Sequence, residues 1–221
     1  VRETIKGRMF NAGQVCCASK RVLVQKSIAE EYTNRLINAL KLLKVCEPHE
    51  KECDMGPLVS EQAACEVENK VNQTIKQGAR CVFGGKRYNK TYFEPTVLKD
   101  VTADMDIAKD MEIFGPVVPI IEFEENDEAI KIANQTKYGL SGGVIGRDIK
   151  AALSTALKLE SGTTVVNGCG DYRTLYTPFG GHKMSGIGTE GLMLTLEEMM
   201  LTKCVALKGI VEESVSESVL R

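Results

Sequence analysis

The run PVVPIIEF, residues 116–123, constrains the fold more than any other stretch of the chain. Its apolar residues do not alternate with polar ones, so a strand built from them needs cover on both faces. A parallel sheet with helices on either side provides that cover. The surrounding pattern agrees. RVLVQ (21–25) reads as a strand, and Ile28, Tyr32, Leu36, Leu40 and Leu43 then recur at helical spacing. Ser60 is placed to cap a helix that begins with Glu61 and ends near Gln77, before Gly78. ARCVF (79–83) and YFEPTVL (92–98) read as strands, and Pro95 predicts an edge or a bulge in the second. A helix carrying Ile130 and Ala133 follows PVVPIIEF. LSGGVIG (140–146) and TTVVN (163–167) then flank a helix capped by Asp148 and carrying Leu153, Ala156 and Leu157. A helix over LMLTLEEMM and a strand over TKCVALK (202–208) follow, and the last dozen residues are polar and expected to fray. The sum is an α/β domain with a mostly parallel sheet flanked by helices.

Composition narrows the function classes. Charged residues make 26% of the 221, apolar residues 43%, and the net charge is −2, as in an ordinary globular domain. Lys and Arg are scattered, with no basic stripe that would ask for nucleic acid. No apolar run reaches the roughly 20 residues of a membrane span, and VRETIKGRMF has none of the features of a signal peptide. The cysteines stand at 16, 17, 46, 53, 65, 81, 169 and 204 with no CxxC among them, and neither His49 nor His182 lies at ligand spacing from one. The expectation is a reducing cytoplasm, mostly buried thiols and no structural metal.

Two motifs invite chemistry. Gly186, Gly188 and Gly191 spell GxGxxG, but the residues before them, FGGHKMS, lack the apolar strand run that the fingerprint follows, so the spacing reads as a loop that shapes a pocket wall or packs on a neighbour rather than a pyrophosphate cradle. In FNAGQVCCASKR (10–21), Cys16 and Cys17 follow Gly13 and precede Lys20 and Arg21. Nearby cations and amide donors favour a thiolate nucleophile, although no general base is evident in sequence.

GQVC (13–16), EIFGPV (112–117) and PFGGHKMSGIG (178–188) resemble, in order and spacing, three motifs of the NAD(P)-dependent aldehyde dehydrogenase superfamily. GPLVS, FEPTVL, YGLSGGV and VVNG resemble weaker landmarks between them, and the resemblance runs from Arg8 to Leu207. It implies a catalytic domain over residues 1–200 and an oligomerisation strand with a polar tail over 201–221. It also implies that Cys16 is the nucleophile and Cys17 a packing neighbour. The thiolate attacks the aldehyde, a hydride leaves for NAD or NADP, and the thioester is hydrolysed, with the backbone amide of Cys16 donating to the oxyanion. By the same resemblance Glu112 grips the nicotinamide ribose and Phe114 packs near the nicotinamide. Asn167 lies beside the nucleophile and Phe179 in the substrate tunnel. Met111 stands where an acid often precedes the ribose-binding glutamate.

Full family members are about twice this length. The resemblance therefore places the dinucleotide-binding domain, the deacylating glutamate and a second oxyanion donor outside this chain, and implies that the chain alone neither binds NAD tightly nor turns over aldehyde. Arg173, in the region of the substrate-entry loop, suits a small anionic aldehyde such as succinate semialdehyde, against the plainer reading of a surface arginine. A coenzyme A-dependent acylating enzyme and a non-catalytic dimerisation module are the alternatives. A homodimer or homotetramer is the assembly implied for the full-length protein.

Overall fold

The computed structural model describes residues 1–209. Helix α1 (Arg2–Met9) leads into a 3₁₀ turn (Phe10–Gly13), and β1 (Val22–Gln25), α2 (Lys26–Leu40) and α3 (Glu61–Lys76) follow. Then come β2 (Arg80–Phe83), β3 (Arg87–Tyr88), β4 (Tyr92–Phe93), β5 (Thr96–Lys99), β6 (Val117–Phe123) and α4 (Asn126–Asn134). The remainder is β7 (Tyr138–Gly139), β8 (Ser141–Val144), α5 (Ile149–Ala156), β9 (Thr163–Val166), β10 (Phe179–Gly180), β11 (His182–Lys183), β12 (Thr189–Glu190) and α6 (Leu192–Glu198).

The main sheet has the order β1-β6-β5-β2. Strand β6 is parallel to both neighbours, and β2 joins antiparallel to β5 with a bulge between Cys81 and Phe83. Pro119 sits inside the central strand, where a missing N–H would ordinarily break a ladder. The register explains its tolerance: β5 pairs with Val117–Pro119 and β1 with Ile120–Phe123, so Pro119 marks the handover from one neighbour to the other. Val117, Val118, Ile120 and Ile121 are all buried, each contributing roughly 1.5–3 kcal/mol of transfer free energy. The expectation of a doubly covered strand is met. Helix α2 turns Ala29, Thr33, Leu36 and Leu40 inward, and α3 turns Ala64, Val67, Val71 and Thr74 inward, both at the three-to-four spacing of one helical face.

Local signals also hold. The Ser60 hydroxyl accepts from the Ala63 N–H, and the Asp148 carboxylate accepts from the Lys150 and Ala151 N–H groups, each satisfying donors that a helix start leaves free. Strands β8 and β9 pair in parallel across α5.

Four expectations are corrected. YFEPTVL is two strands, not one: Glu94 and Pro95 break it, β4 pairs with β3 in a hairpin, and β5 lies inside the main sheet rather than at its edge. TKCVALK forms no strand, because no described segment lies alongside to complete a ladder, and its residues are exposed. The thiols are not mostly buried, since Cys169 alone is. Cys46 and Cys53 form a disulfide across a loop of seven positions, with Cα atoms 5.6 Å apart, a spacing within the ordinary range for a bridge. The polar tail expected to fray lies outside the described residues. Among the described residues no helix is long and apolar enough to cross a membrane.

Candidate active site

The turn that carries Cys16 owes its shape to three successive left-handed residues, Asn11 (φ 49°), Ala12 (φ 53°) and Gly13 (φ 75°). A Cβ on Gly13 would stand 2.2 Å from the Gly115 carbonyl oxygen, so only glycine lets the GQVC and EIFGPV backbones touch. Arg8, on the helix that leads into this turn, holds the EIFGPV segment at two points. Its side chain is almost completely buried, its Nε donates to the Val117 carbonyl at 2.7 Å, and its Nη2 donates to the Ile113 carbonyl at 2.7 Å. Burial lowers its pKa to about 10, so the guanidinium still carries its charge at neutral pH. Gln14 reaches the other way: its side-chain oxygen accepts from the Val59 N–H at 2.8 Å and its nitrogen donates to the Asn11 carbonyl at 3.0 Å. GQVC, EIFGPV and GPLVS are thereby stitched into one unit.

The environments of the two cysteines differ. Cys16 is exposed, whereas Cys17 is half-buried, and burial first, then the neighbouring Cys16, pushes the Cys17 thiol up. Lys20 lies beside Cys16. Its ammonium donates to the Val15 carbonyl at 3.0 Å, pairs with Glu112 Oε1 at 3.2 Å and stands 4.0 Å from the centre of the Phe114 ring. Burial and then the Arg8 charge lower its pKa, while Glu112 opposes both. The structure thus brings Cys16, Glu112 and Phe114 into one neighbourhood. Arg21 does not join them: it donates to the Ala108, Ile132 and Ala133 carbonyls and so closes the end of α4. The positive potential expected from both cations comes from Lys20 alone of the pair.

Asn167 follows β9 with φ 57° and accepts from the Gly146 N–H at 2.9 Å, which fixes the β8 exit. Cys169, two positions on, packs on Gly7, where a Cβ would stand 2.7 Å from it. Its thiol donates to Asp171 at 2.6 Å, and burial followed by Asp171 pushes it up to about 12, so it stays protonated. Arg173 and Phe179 form a second group, with the guanidinium 4.3 Å from the Phe179 ring centre and 2.7 Å from Glu190. The polar contacts of this group run among its own members and do not reach Cys16. Of the GxGxxG residues, Gly188 precedes β12 and Gly191 precedes α6, a seven-residue helix, which suits a wall and not a cradle.

The spacing of the motifs does not single out Arg8 and Gln14, which the structure places at the candidate site. Arg8 and Gln14 touch partners far along the chain, a relation that spacing does not reveal.

Residues 1–205 match the description "Aldehyde dehydrogenase family". The chain belongs to the aldehyde dehydrogenase family. A lactaldehyde dehydrogenase of Methanococcus maripaludis is 38% identical over 209 residues, which is 95% of this chain and 44% of that protein. The NADP complex of a glyceraldehyde-3-phosphate dehydrogenase from Methanocaldococcus jannaschii superposes with a TM-score of 0.84 at 40% identity, covering 90% of this chain and 42% of the other. A succinate-semialdehyde dehydrogenase from Burkholderia pseudomallei does so with a TM-score of 0.85 at 35% identity, covering 89% and 41%. This aldehyde dehydrogenase chain therefore spans less than half the length of the relatives it matches.

Proposed function

We propose that the chain is the catalytic part of an NAD(P)-dependent aldehyde dehydrogenase in which Cys16 is the nucleophile. The observation that carries this is the placement of an exposed thiol on a glycine-shaped turn against the Glu112–Phe114 segment. The thiolate forms a bond to the aldehyde carbon, and the carbonyl electrons move to oxygen. Among the described residues the Cys16 N–H donates to no backbone carbonyl, which suits a donor reserved for that oxygen. A nicotinamide held at the Glu112–Phe114 segment would supply the hydride acceptor, and Cys16 would then keep the acyl carbon as a thioester. Two features fit such a group. Glu112 is half-exposed with one oxygen on Lys20 and the other free for a hydroxyl, and the Phe114 ring is half-exposed with Lys20 on one face.

The proposed outcome is hydrolysis of the thioester to a carboxylate, with transfer to coenzyme A as the second reading. The proposed substrate is a small anionic aldehyde such as succinate semialdehyde, met by Arg173, with Asn167 and Phe179 lining its path. Because Glu190 already holds that guanidinium, an anionic substrate has to share or displace the carboxylate. The full-length protein is proposed to be a homodimer or homotetramer in a cytoplasmic setting, which the six free cysteines suit and the Cys46–Cys53 bridge does not.

The test is nicotinamide reduction by a full-length protein carrying these residues, beside the same protein with Cys16→Ala. Loss of at least about a thousandfold in kcat is expected for a missing nucleophile. Retained turnover removes Cys16 from the mechanism. The 221-residue chain alone is expected to show no turnover.

A further inference from the structure

The ammonium of Lys20 has three N–H donors and three acceptors around it: a carbonyl at 3.0 Å, a carboxylate at 3.2 Å and a ring face at 4.0 Å. Each acceptor belongs to a different part of the site. The carbonyl is that of Val15, bonded directly to the Cys16 nitrogen; the carboxylate is Glu112; the ring is Phe114. The side chain is only 21% exposed, so the charge is held in place rather than free to swing into solvent. We propose that Lys20 is a positioning residue, the common anchor of the thiol-bearing turn and of the Glu112 and Phe114 side chains, and that its ammonium biases Cys16 toward anionic electrophiles.

This rests on the reading of Cys16 as nucleophile and of Glu112 and Phe114 as cofactor-facing. The charged groups around Lys20 are Arg8 and Glu112, and Asp171 acts on the adjoining Cys17. Arg8 is buried and bound to two carbonyls, which leaves Lys20 as the cation placed to meet a reagent at the exposed thiol. An uncharged side chain of similar length would keep the packing and lose all three contacts. Arginine would keep the charge.

The experiment uses this chain, with Cys16 followed by peptide mass spectrometry during alkylation by iodoacetate, which is anionic, and iodoacetamide, which is neutral. The ratio of the two rates at Cys16 is divided by the same ratio at exposed Cys204 in the same molecules. Lys20→Met is expected to lower the normalised ratio roughly two- to fivefold, the size of one unit charge a few ångströms away in a wet site. Lys20→Arg should keep it, and Glu112→Gln should raise it. Loosened packing would move both rates together and leave the ratio alone. An unchanged ratio in Lys20→Met, or an equal fall in Lys20→Arg, overturns the assignment. A Cys16 no faster than Cys204 with either reagent removes the nucleophile reading, while the normalised ratio still decides whether Lys20 acts on the thiol.

Discussion

The main sheet with α2 and α3 differs sharply from the segment that follows β9. In the first, every apolar residue of β6 up to Ile121 has found cover, and the buried faces of both helices close over it. In the second, Leu175, Ile187, Met193, Met199, Leu201 and Leu207 are all exposed, Ile187 and Leu201 almost completely so. Helix α5 behaves in the same way, with Ile149, Leu153 and Leu157 on an uncovered row. Helices α2, α3 and α5 carry amphipathic patterns of similar strength. The difference teaches that a pattern specifies which face wants burial, while only the rest of the fold says whether anything buries it.

Paired truncations test that contrast most strongly. Ile120→Ala, in the centre of β6, is expected to cost about 2–5 kcal/mol in denaturant unfolding, because neighbours fixed on both sides cannot collapse into the space. Leu196→Ala on α6 should stay within about 0.5 kcal/mol in the isolated chain. Equal losses would mean that the second region packs as tightly as the first. Next in size is Ser60→Ala, expected to cost about 1 kcal/mol by freeing the Ala63 N–H at the start of α3. Its absence from the unfolding curve would detach α3 from the cooperative core.

The smallest effect concerns pH. Asp110 lies between the regions, and the Lys137 N–H and Thr136 hydroxyl hold its carboxylate below the usual range. Since its pKa is lower in the folded chain than in the unfolded one, it adds stability above the unfolded carboxylate pKa of about 4. That contribution is lost as pH falls through the lowered value. The Asp110→Ala variant should therefore show a slightly flatter acid limb, small because the side chain is half-exposed. An identical limb would show that the carboxylate is not engaged.

Much of the fold was legible because its signals are local. Ser60 and Asp148 cap helices whose free N–H groups lie two or three positions away, and the periodicities of α2 and α3 are written in consecutive turns. What was not legible required distant partners. Cys46 and Cys53 pair because a loop folds back on itself, with Val45 bridging Met55. Residues 202–208 have strand composition but no described neighbour to complete a ladder. At the site, the motifs marked Cys16, Glu112 and Phe114, and the spacing of Lys20 from Cys16 hinted at a charge near the thiol. Nothing in the spacing showed that Lys20 joins the Val15 carbonyl, Glu112 and Phe114, or that Arg21, one position on, turns away to close α4.

By itself the sequence determined the α/β class, the doubly covered central strand, the capped starts of α3 and α5 and, through its motifs, the segments of the candidate site. Those follow from interactions between residues a few positions apart, or from apolar runs that tolerate one environment. Only the tertiary structure decided that Gly13 meets Gly115, that Arg8 fastens the EIFGPV segment to the helix leading into the thiol-bearing turn, and that Lys20 ties Glu112 to the Val15 carbonyl next to Cys16. These contacts join residues far apart along the chain, and their geometry exists only once the sheet has brought the two segments together.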